Sequence, residues 1–527
     1  MNRCWEEVCK SVNEDGYRIV MKKFGQPLPT LTTKMVLDVA KALFPKHPVV
    51  IYEDIAAVDI PCFTEEELKV AWKRMKARKS PGPDGIPPEA VKLAAETKAE
   101  KVLQAMNHTL INEEIPAKWK RARLILLKKE GKPDNLSCSY RPLCLLDTLE
   151  KLLEHLLLLR LKEEIERTDG LAENQFGFRE GCSTLSAVQK VTDLVDRAAN
   201  GTRHTRRIPA VVTLDVRNAF NSASWQKILN ILKERGVKEY LRRMIQQYFK
   251  DRKILIDTEE DCLELEISSG VPQGSILGPT LWNLLYDGVF QLPLPDGVSL
   301  VGYADDLALV AVASSEQQLM AKANRAINLV VAWLQLQGLE VAPEKTEAIV
   351  MAGRRPLTDI RFVVNGLVIH PAKKLKYLGV WLDHRRSFQA HVEDAAKKSA
   401  RVAGSICRLM RNVQGPSPSK RRLLATVVES VALYASPIWI RALDSRKARL
   451  RLERVQRKMA LRVCSGYRTI SAEAAFVIAG VPSLELLAQE RADRHAGMEK
   501  ATARDALLAR WQERWANTQK ASWTKML

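Results

Sequence analysis

The sequence predicts an α+β protein in which a mixed or antiparallel sheet lies between helical segments. Short apolar runs rich in β-branched residues, separated by Gly and Pro, concentrate between residues 211 and 383 and indicate strands. Helical patterns dominate before this region, and the sequence after residue 384 is basic, helical and free of strand signals. Strands and helices are therefore segregated along the chain, as in an α+β fold.

The N-terminal part predicts two helices separated by a shaped loop. Thr64 and Glu67 have the spacing of a capping box, so a helix starts there and runs to about Ala77. Residues 79–85 (KSPGPDG) cannot extend it, because the two prolines lack donors and the two glycines favour turns. A further helix follows to about Asn112, whereas residues 1–60 show no clear pattern.

The next segments alternate between strand-like and helix-like hydrophobic patterns. Residues 123–129 (RLILLKK) are compatible with a strand, and residues 145–161 have the leucines of a largely buried helix. The run VVTLDV, 211–216, predicts a strand. An amphipathic helix follows it, to about Glu234.

Two strand-like runs, ILIDT and LELEISS, then precede a Gly/Pro/Gln loop at 270–274, which opens a helix near Ser275. The run LVGYADDLALVAV predicts a hairpin of two apolar strands, with Asp305 and Asp306 at its tip.

The remaining elements of the sheet region follow the hairpin. A helix is expected over about 315–338, with Ser314 as its N-cap because Ser314 and Gln317 have the capping spacing. PEKTEAIVM predicts a turn and a strand, and LKYLGVWLD, 375–383, predicts a strand pair.

The adjacent carboxylates of Asp305 and Asp306 interrupt an apolar run, and burying unpaired carboxylates costs free energy. A positively charged partner would explain their position. Asp215 also ends an apolar strand run and is the best candidate for a third acid beside them. Carboxylates in this arrangement suit Mg²⁺, and two such ions would activate a 3′-hydroxyl and stabilise a pyrophosphate leaving group. Taken singly, the acidic pair is also compatible with a solvated turn, and Asp215 with a helix N-cap.

The charge of the chain favours a polyanionic partner. Lys and Arg total 82 against 62 Asp and Glu, a net charge of +20. Seven basic residues and one acid lie between residues 118 and 132, and basic residues again outnumber acids between 397 and 462. Two basic clusters flanking a candidate active site indicate a nucleic-acid groove, with solvated helix faces as the alternative.

Cysteine usage and hydropathy indicate a reduced, intracellular protein, nuclear or cytoplasmic. The nine cysteines are scattered without a CxxC pair, so no disulfide framework and no zinc site is expected. No apolar signal segment follows Met1, and the most apolar run, 152–161, is too short and too charged to cross a bilayer. We expect neither secretion nor a membrane partner.

Eight blocks, in order, resemble the polymerase core of non-LTR (LINE-type) retrotransposon reverse transcriptases. They are KARKSPGPDGIPPE (76–89), YRPLCLLDTLEKLLE (140–154), NQFGFREGCST (174–184), LDVRNAFNS (214–222), SSGVPQGSILGPTLWN (268–283), YADD (303–306), PEKTE (343–347) and KYLGVWLD (376–383). Two later segments, LYASPIW (433–439) and GYRTISAEAAFVIAG (466–480), are similar to the arthropod site-specific branch of these elements.

The resemblance implies roles for the acids and for one aromatic residue. Asp215, Asp305 and Asp306 would be the catalytic ligands of two Mg²⁺ ions, or of Mn²⁺ in their place, with Asp306 coordinating less directly. Phe220 would be an aromatic gate at the position of a ribonucleotide 2′-hydroxyl, favouring deoxynucleotides. Plain core packing is the alternative for Phe220.

Further residues would bind the nucleotide substrate. Lys345 corresponds to the lysine that neutralises or protonates the leaving pyrophosphate. Lys128 and Arg141 are further candidates for gripping the triphosphate, since the planar fork of an arginine matches phosphate oxygens. The loop that lines the templating base and the incoming nucleotide corresponds to Gly270, Pro272, Gln273 and Gly274.

The resemblance also implies a right-hand architecture with fingers, palm and thumb, and template RNA, a DNA primer or target and dNTPs as partners. In this architecture, KYLGVWLD would support the primer terminus. The expected divisions are an N-terminal extension (1–65), fingers (66–210), palm (211–383), a helical basic thumb (384–480) and a C-terminal helical tail (481–527).

The resulting hypothesis is an RNA-directed DNA polymerase that extends a DNA 3′-hydroxyl. Elements of this type usually carry an upstream endonuclease and often a downstream Cys/His zinc knuckle, and neither is expected here, so the resemblance implies a truncated polymerase portion. One alternative is a non-catalytic nucleic-acid-binding remnant. Another is a different template-directed polymerase, such as a group II intron maturase or a viral RNA polymerase, although Phe220 argues against RNA synthesis.

Overall fold

A computed structural model of the chain describes residues 33–48, 50–52, 60–129, 131–133, 136–202, 205–258, 262–353, 359–411, 415–519 and 521–526. Most of the expected N-terminal extension, 1–65, lies outside these residues.

The helices of the described residues are numbered in chain order. They are α1 Thr33–Leu43, α2 Glu65–Arg74, α3 Pro88–Thr97, α4 Ala99–Ile111, α5 Thr148–Arg167, α6 Thr184–Ala199, α7 Trp225–Glu234, α8 Glu239–Phe249, α9 Gly278–Tyr286, α10 Glu316–Leu336, α11 Gln389–Leu409, α12 Pro418–Ala432, α13 Ser436–Trp439, α14 Arg446–Val463, α15 Ala472–Ala479, α16 Leu484–His495, α17 Lys500–Asn517 and α18 Ser522–Met526.

The strands of the described residues are numbered in the same way. They are β1 Arg121–Lys128, β2 Tyr140–Leu145, β3 Ile208–Leu214, β4 Val216–Arg217, β5 Lys253–Asp257, β6 Cys262–Glu266, β7 Val298–Tyr303, β8 Asp306–Ala313, β9 Glu340–Val341, β10 Glu347–Val350, β11 Phe362–Val364, β12 Leu367–Ile369, β13 Lys374–Tyr377 and β14 Val380–Asp383.

The N-terminal helices follow the sequence prediction except at one break. The capping box is present at α2, where Thr64 accepts from the backbone of Glu67 and Glu67 accepts from the backbone of Thr64. The single helix expected up to Asn112 is wrong, because Lys98 leaves the helical conformation (φ −135°, ψ 45°) and divides it into α3 and α4. Both helices contribute buried residues to the same core.

Two four-stranded sheets form the β part of the fold. One has the order β2-β1-β5-β6 and is mixed, because β1 is antiparallel to β2 and parallel to β5. The other has the order β10-β3-β8-β7 and is antiparallel throughout. The predicted α+β class with mixed and antiparallel sheets is confirmed.

The antiparallel sheet is covered on both faces, which explains its nearly continuous apolar strands. Alternate residues of β3 and β8 pack against α6 on one face, together with the β13–β14 hairpin. The intervening residues lie on the opposite face, where α10 packs against β3 and β8, and they share one core with α7, α8 and α9. Only the strand ends and their turns therefore remain available for a site.

One predicted helix start is wrong by one residue. The N-cap of α10 is Ser315, whose hydroxyl accepts from the backbone of Gln318, and not Ser314 with Gln317. Two consecutive serines precede two consecutive glutamines here, so the spacing alone fits both pairs.

The C-terminal part of the described chain is entirely helical, as the sequence predicts. Helices α11, α12, α14 and α15 share one core, and α16 joins a second core around Trp439. Among the described residues, no individual helix combines the length and the apolar character of a membrane span, although two sharply bent helix pairs meet these criteria jointly.

A buried ion pair joins α5 to the mixed sheet. The side chain of Arg252, 2% exposed, donates to the carboxylate of Glu150, 1% exposed. The guanidinium also lies over the ring of Tyr248, 3.9 Å from its centroid. Burial raises the pKa of Glu150 to about 8 and the Arg252 guanidinium opposes this shift, so the charged carboxylate depends on its buried cation.

The same region clamps the loop that precedes α9. The Glu154 carboxylate accepts from the backbone N–H of Ile276 at 2.5 Å and of Leu277 at 2.8 Å. The Tyr248 hydroxyl donates to Ser275 Oγ at 2.9 Å, and that oxygen accepts from the start of α9. Helix α5 therefore holds the loop before α9 in place through the buried Glu154 carboxylate.

We predict that Arg252→Met lowers the free energy of unfolding by about 3–5 kcal/mol, because Glu150 would remain buried without its cation. The double variant Arg252→Met/Glu150→Gln should regain most of this loss. The pair of Arg510, whose side chain is 44% exposed, with Asp493 offers a control, and Arg510→Met should change stability by less than about 1 kcal/mol. Chemical denaturation measures all three, and equal effects for Arg252→Met and Arg510→Met would contradict the prediction.

Candidate active site

Three acidic residues come together at one end of the antiparallel sheet. The register of β3 with β8 places Asp215, directly after β3, opposite Asp306 at the start of β8. Strands β7 and β8 form the predicted hairpin, and its two-residue turn carries Ala304 and Asp305. The structure therefore brings Asp215 beside the acidic turn.

The acids disfavour one another's charge. Burial raises the pKa of Asp305, and the Asp215 carboxylate adds to this effect. Asp306 is the more exposed of the pair, yet displaced water together with repulsion from Asp305 and Asp215 raises its pKa to about 6. Such a set of carboxylates is stabilised by a nearby cation.

The charges of all three acids affect the pKa of Tyr286. Its phenol is fully buried, and burial followed by the charges of Asp305, Asp306 and Asp215 raises its pKa well above the usual value. Within the described part of the chain its hydroxyl has no hydrogen-bond partner. A buried phenol that the charges of all three acids affect therefore lacks a hydrogen-bond partner among the described residues.

Lys345 supplies positive charge to this cluster. Its ammonium lies 2.9 Å from Oδ1 of Asp215, in a pair that is about half exposed. The same ammonium opposes the upward pKa shifts of Asp305 and Asp306. The structure thus brings Lys345 to the three acids.

The donor chemistry of the cluster fits a hard divalent cation, because all three side chains offer carboxylate oxygens and the charge of Asp215 raises the pKa of both Asp305 and Asp306. No group of three or more His, Cys, Asp or Glu side chains is already arranged for a metal ion among the described residues. The three acids lie at the same end of the sheet, and one oxygen of Asp215 accepts a hydrogen bond from Lys345.

Phe220 lies in a short 3₁₀ turn, Ala219–Ser222, that follows β4, and it is half-buried. Its ring packs against Trp282 of α9, with centroids 5.1 Å apart. On another side it meets Phe178 edge-on at 5.8 Å. The ring is thus partly core and partly at the surface of the site.

The 270–274 loop is tied to both neighbouring elements. Gly270 has φ +87° and donates to Ala223 at 2.7 Å, and a Cβ there would lie 2.6 Å from the carbonyl oxygen of Asn221. Gly274 has φ +134°, and its Cβ would lie 2.4 Å from the carbonyl of Cys144. Backbone packing therefore requires both glycines, independently of any ligand.

The other two loop residues differ in exposure. Pro272 is buried, whereas Gln273 is half-exposed and its carbonyl accepts from the Cys144 backbone at 2.9 Å. This bond connects the loop to β2, the strand that carries Arg141.

Strand pairing separates the two residues expected to grip a triphosphate. In β1 and β2, Leu127 lies opposite Arg141 and Lys128 opposite Tyr140. Opposite residues share a face and neighbours alternate, so Lys128 and Arg141 lie on opposite faces of the sheet. The structure does not bring these two residues together.

Lys129 is the lysine that sequence reasoning missed. Its pKa is lowered by burial and then by the positive charges of Lys345 and Arg141, and it senses the charge of Asp215. Its ammonium donates to the Cys138 carbonyl at 2.7 Å. The basic run indicated this position, but strand alternation was needed to choose Lys129 over Lys128.

Many arginines of the C-terminal basic region serve the fold itself. Arg421 is 4% exposed and donates to the carbonyls of Arg411, Pro416 and Arg462. Arg457 binds the carbonyl of Ile470. The net charge of this region therefore overstates the surface available to a polyanion.

The LYASPIW segment connects the C-terminal helices to the sheet. The Tyr434 hydroxyl donates to the Leu378 carbonyl, at the tip of the β13–β14 hairpin, at 2.8 Å. It also lies 3.1 Å from Thr184 Oγ1, at the start of α6. The segment therefore fixes this hairpin against both neighbours.

Comparison with known proteins shows what the region around this site is similar to. A model described as "Reverse transcriptase (RNA-dependent DNA polymerase)" matches residues 127–382. A 115 kDa protein of the type-1 retrotransposable element R1DM from Drosophila melanogaster is 27% identical, over 86% of this chain and 46% of that protein. The Pol polyprotein of a type-1 element R1 from Bradysia coprophila is 29% identical, over 82% and 42% respectively.

A solved telomerase from Candida tropicalis aligns with a TM-score of 0.35 and 13% identity, over 51% of this chain and 56% of that one; this likeness is too weak to carry an argument. The chain spans less than half the length of these two R1 relatives. Residues 127–382, which match the reverse transcriptase model, hold the site's acids and both lysines, and the chain is similar in sequence to proteins of arthropod type-1 retrotransposable elements.

Proposed function

We propose that the chain is an RNA-directed DNA polymerase that extends a DNA 3′-hydroxyl on an RNA template. The observation that carries this proposal is the meeting of Asp215, Asp305 and Asp306 at one sheet end, inside the matched domain. Template RNA, a DNA primer or target and dNTPs are its proposed partners. The acids are proposed as the catalytic groups.

The acids would hold two Mg²⁺ ions, or Mn²⁺, which supply activation of the 3′-hydroxyl and stabilisation of the leaving pyrophosphate. Lys345, beside Asp215, would pair with a phosphate oxygen of the leaving group. Lys129 and Arg141 would bind the triphosphate from the mixed sheet, and Gln273 would contact the nucleotide from the clamped loop. These groups position the substrate and neutralise its charge.

We further propose a right-hand arrangement for the chain. Residues 66–210 would form the fingers, 211–383 the palm, 384–480 the thumb and 481–527 a tail. The palm assignment rests on the antiparallel sheet that carries the acids, and the thumb assignment on the helical basic region beyond β14.

A non-catalytic nucleic-acid-binding remnant is the competing function. It predicts a protein that binds primer–template with steep salt dependence and incorporates no nucleotide. Incorporation by the purified chain would exclude it.

Asp305→Asn should lower primer extension by at least about 10²–10³-fold, because it removes one charge from the metal-binding set at nearly constant volume. The measurement is single-nucleotide extension of a DNA primer on RNA with Mg²⁺. Asp296→Asn is the matched control, since Asp296 is exposed in the segment before β7. Binding of primer–template should survive in both variants, and extension by Asp305→Asn at the control rate would refute the assignment.

Phe220→Ala should relax sugar discrimination, because the ring that would contact a 2′-hydroxyl is removed. The ratio of kcat/KM for a dNTP over the matching rNTP should fall by about tenfold or more. Phe290→Ala is the control, since that ring meets Tyr286 at 6.3 Å in the same aromatic stack. An unchanged dNTP-to-rNTP ratio in Phe220→Ala would show that Phe220 serves only in core packing.

Lys129→Gln should raise the KM for dNTP by about tenfold, because one charge-assisted contact to the triphosphate is lost. Lys128→Gln, at the adjacent position, should change it by less than about threefold. Steady-state titration of dNTP at saturating primer–template compares the two variants. A larger effect at Lys128 would restore the prediction made from sequence.

A further inference from the structure

Phe178 combines two features that the fold does not explain. The residue is 51% exposed, whereas Phe220 is half-buried and Trp282 and Tyr286 are fully buried. Its backbone has φ +56°, a left-handed conformation that is unfavourable for a bulky residue. An exposed apolar ring on a strained backbone contributes little to a core, and such strain concentrates at functional sites.

The surrounding loop holds this conformation firmly. Residues 174–176 pair with the edge of β7, through Phe176 N to Gly302 O at 2.8 Å and Gly302 N to Asn174 O at 2.9 Å. The Gly177 carbonyl accepts from Asn283 Nδ2 at 2.9 Å. Arg179 donates to the Gln175 carbonyl at 3.1 Å. Both neighbours of Phe178 are thus fixed, while its ring is left at the surface.

The loop lies against the acidic turn. A Cβ on Gly177 would be 2.1 Å from the backbone nitrogen of Ala304, so only glycine permits this approach. Ala304 directly precedes Asp305. The Phe178 ring in turn meets the half-buried Phe220 ring edge-on, with centroids 5.8 Å apart and planes at 86°.

We infer that Phe178 is a specificity-determining residue that contacts the sugar and base of a nucleotide at the active site and fixes the Phe220 ring from the side. This inference rests on the proposed polymerase function. The contacted nucleotide is either the incoming dNTP or the primer-terminal nucleotide, which share this chemistry. The edge-on contact restricts the Phe220 ring, and the exposed part of the Phe178 ring offers an apolar surface to the ligand.

The test compares Phe178→Gly, which removes the ring and accepts the positive φ, with Phe178→Tyr, which keeps the ring. Phe178→Gly should weaken nucleotide or primer–template binding by about three- to tenfold and lower the dNTP-to-rNTP preference. Its thermal midpoint should equal or exceed that of the wild type, because strain is relieved. Phe178→Tyr should behave like the wild type. Leu508→Ala, which removes an apolar side chain from a residue 44% exposed in the proposed C-terminal tail, is the control and should change neither binding nor sugar preference.

Binding is measured on complexes whose primer ends in a dideoxynucleotide, so that no chemistry is required. A weaker dNTP affinity identifies the incoming nucleotide as the ligand, and a weaker primer–template affinity identifies the primer terminus. Unchanged affinities and sugar preference, or a lowered thermal midpoint with full activity, would overturn the inference. If the wild type binds dNTP but never extends a primer, the proposed function fails while this test still reports on Phe178.

Discussion

The register between β3 and β8 is the constraint on which the site depends. It sets Asp215 across from Asp306, and the tight turn of the next hairpin adds Asp305. A slip by one residue would turn every side chain of a strand to the other face, so apolar packing on both faces of the sheet fixes the register. The core therefore holds in place acids that repel one another.

The segments around these acids are held by backbone contacts and buried polar groups. Gly177, Gly270 and Gly274 each lie where a Cβ would meet another segment's backbone. Glu154 clamps the loop before α9 through two backbone donors, and the Arg252–Glu150 pair lies beside it. Such interactions specify one arrangement of the loops, which a site that positions a nucleotide requires.

Positive charge in this chain has two uses. Lys345 lies 2.9 Å from Asp215, and Lys129 is close enough to Lys345, Arg141 and Asp215 for their charges to affect its pKa. By contrast, Arg421 and Arg457 in the C-terminal helices donate to carbonyl groups of their own fold. A net charge of +20 is thus compatible with a nucleic-acid partner. It does not give the size of the basic surface that such a partner could contact.

The sequence by itself determined the α+β class, the hairpin that carries Asp305 and Asp306, and the choice of Asp215 as the third acid, because apolar periodicity and ordered motifs are local properties of the chain. It could not decide between Ser314 and Ser315, or detect the break at Lys98, because neighbouring residues gave the same local signal. Only the tertiary structure placed Lys129 rather than Lys128 with Arg141, because strand pairing decides which side chains share a face. It alone also left Phe178 exposed beside Phe220, since that depends on contacts between segments far apart in the chain.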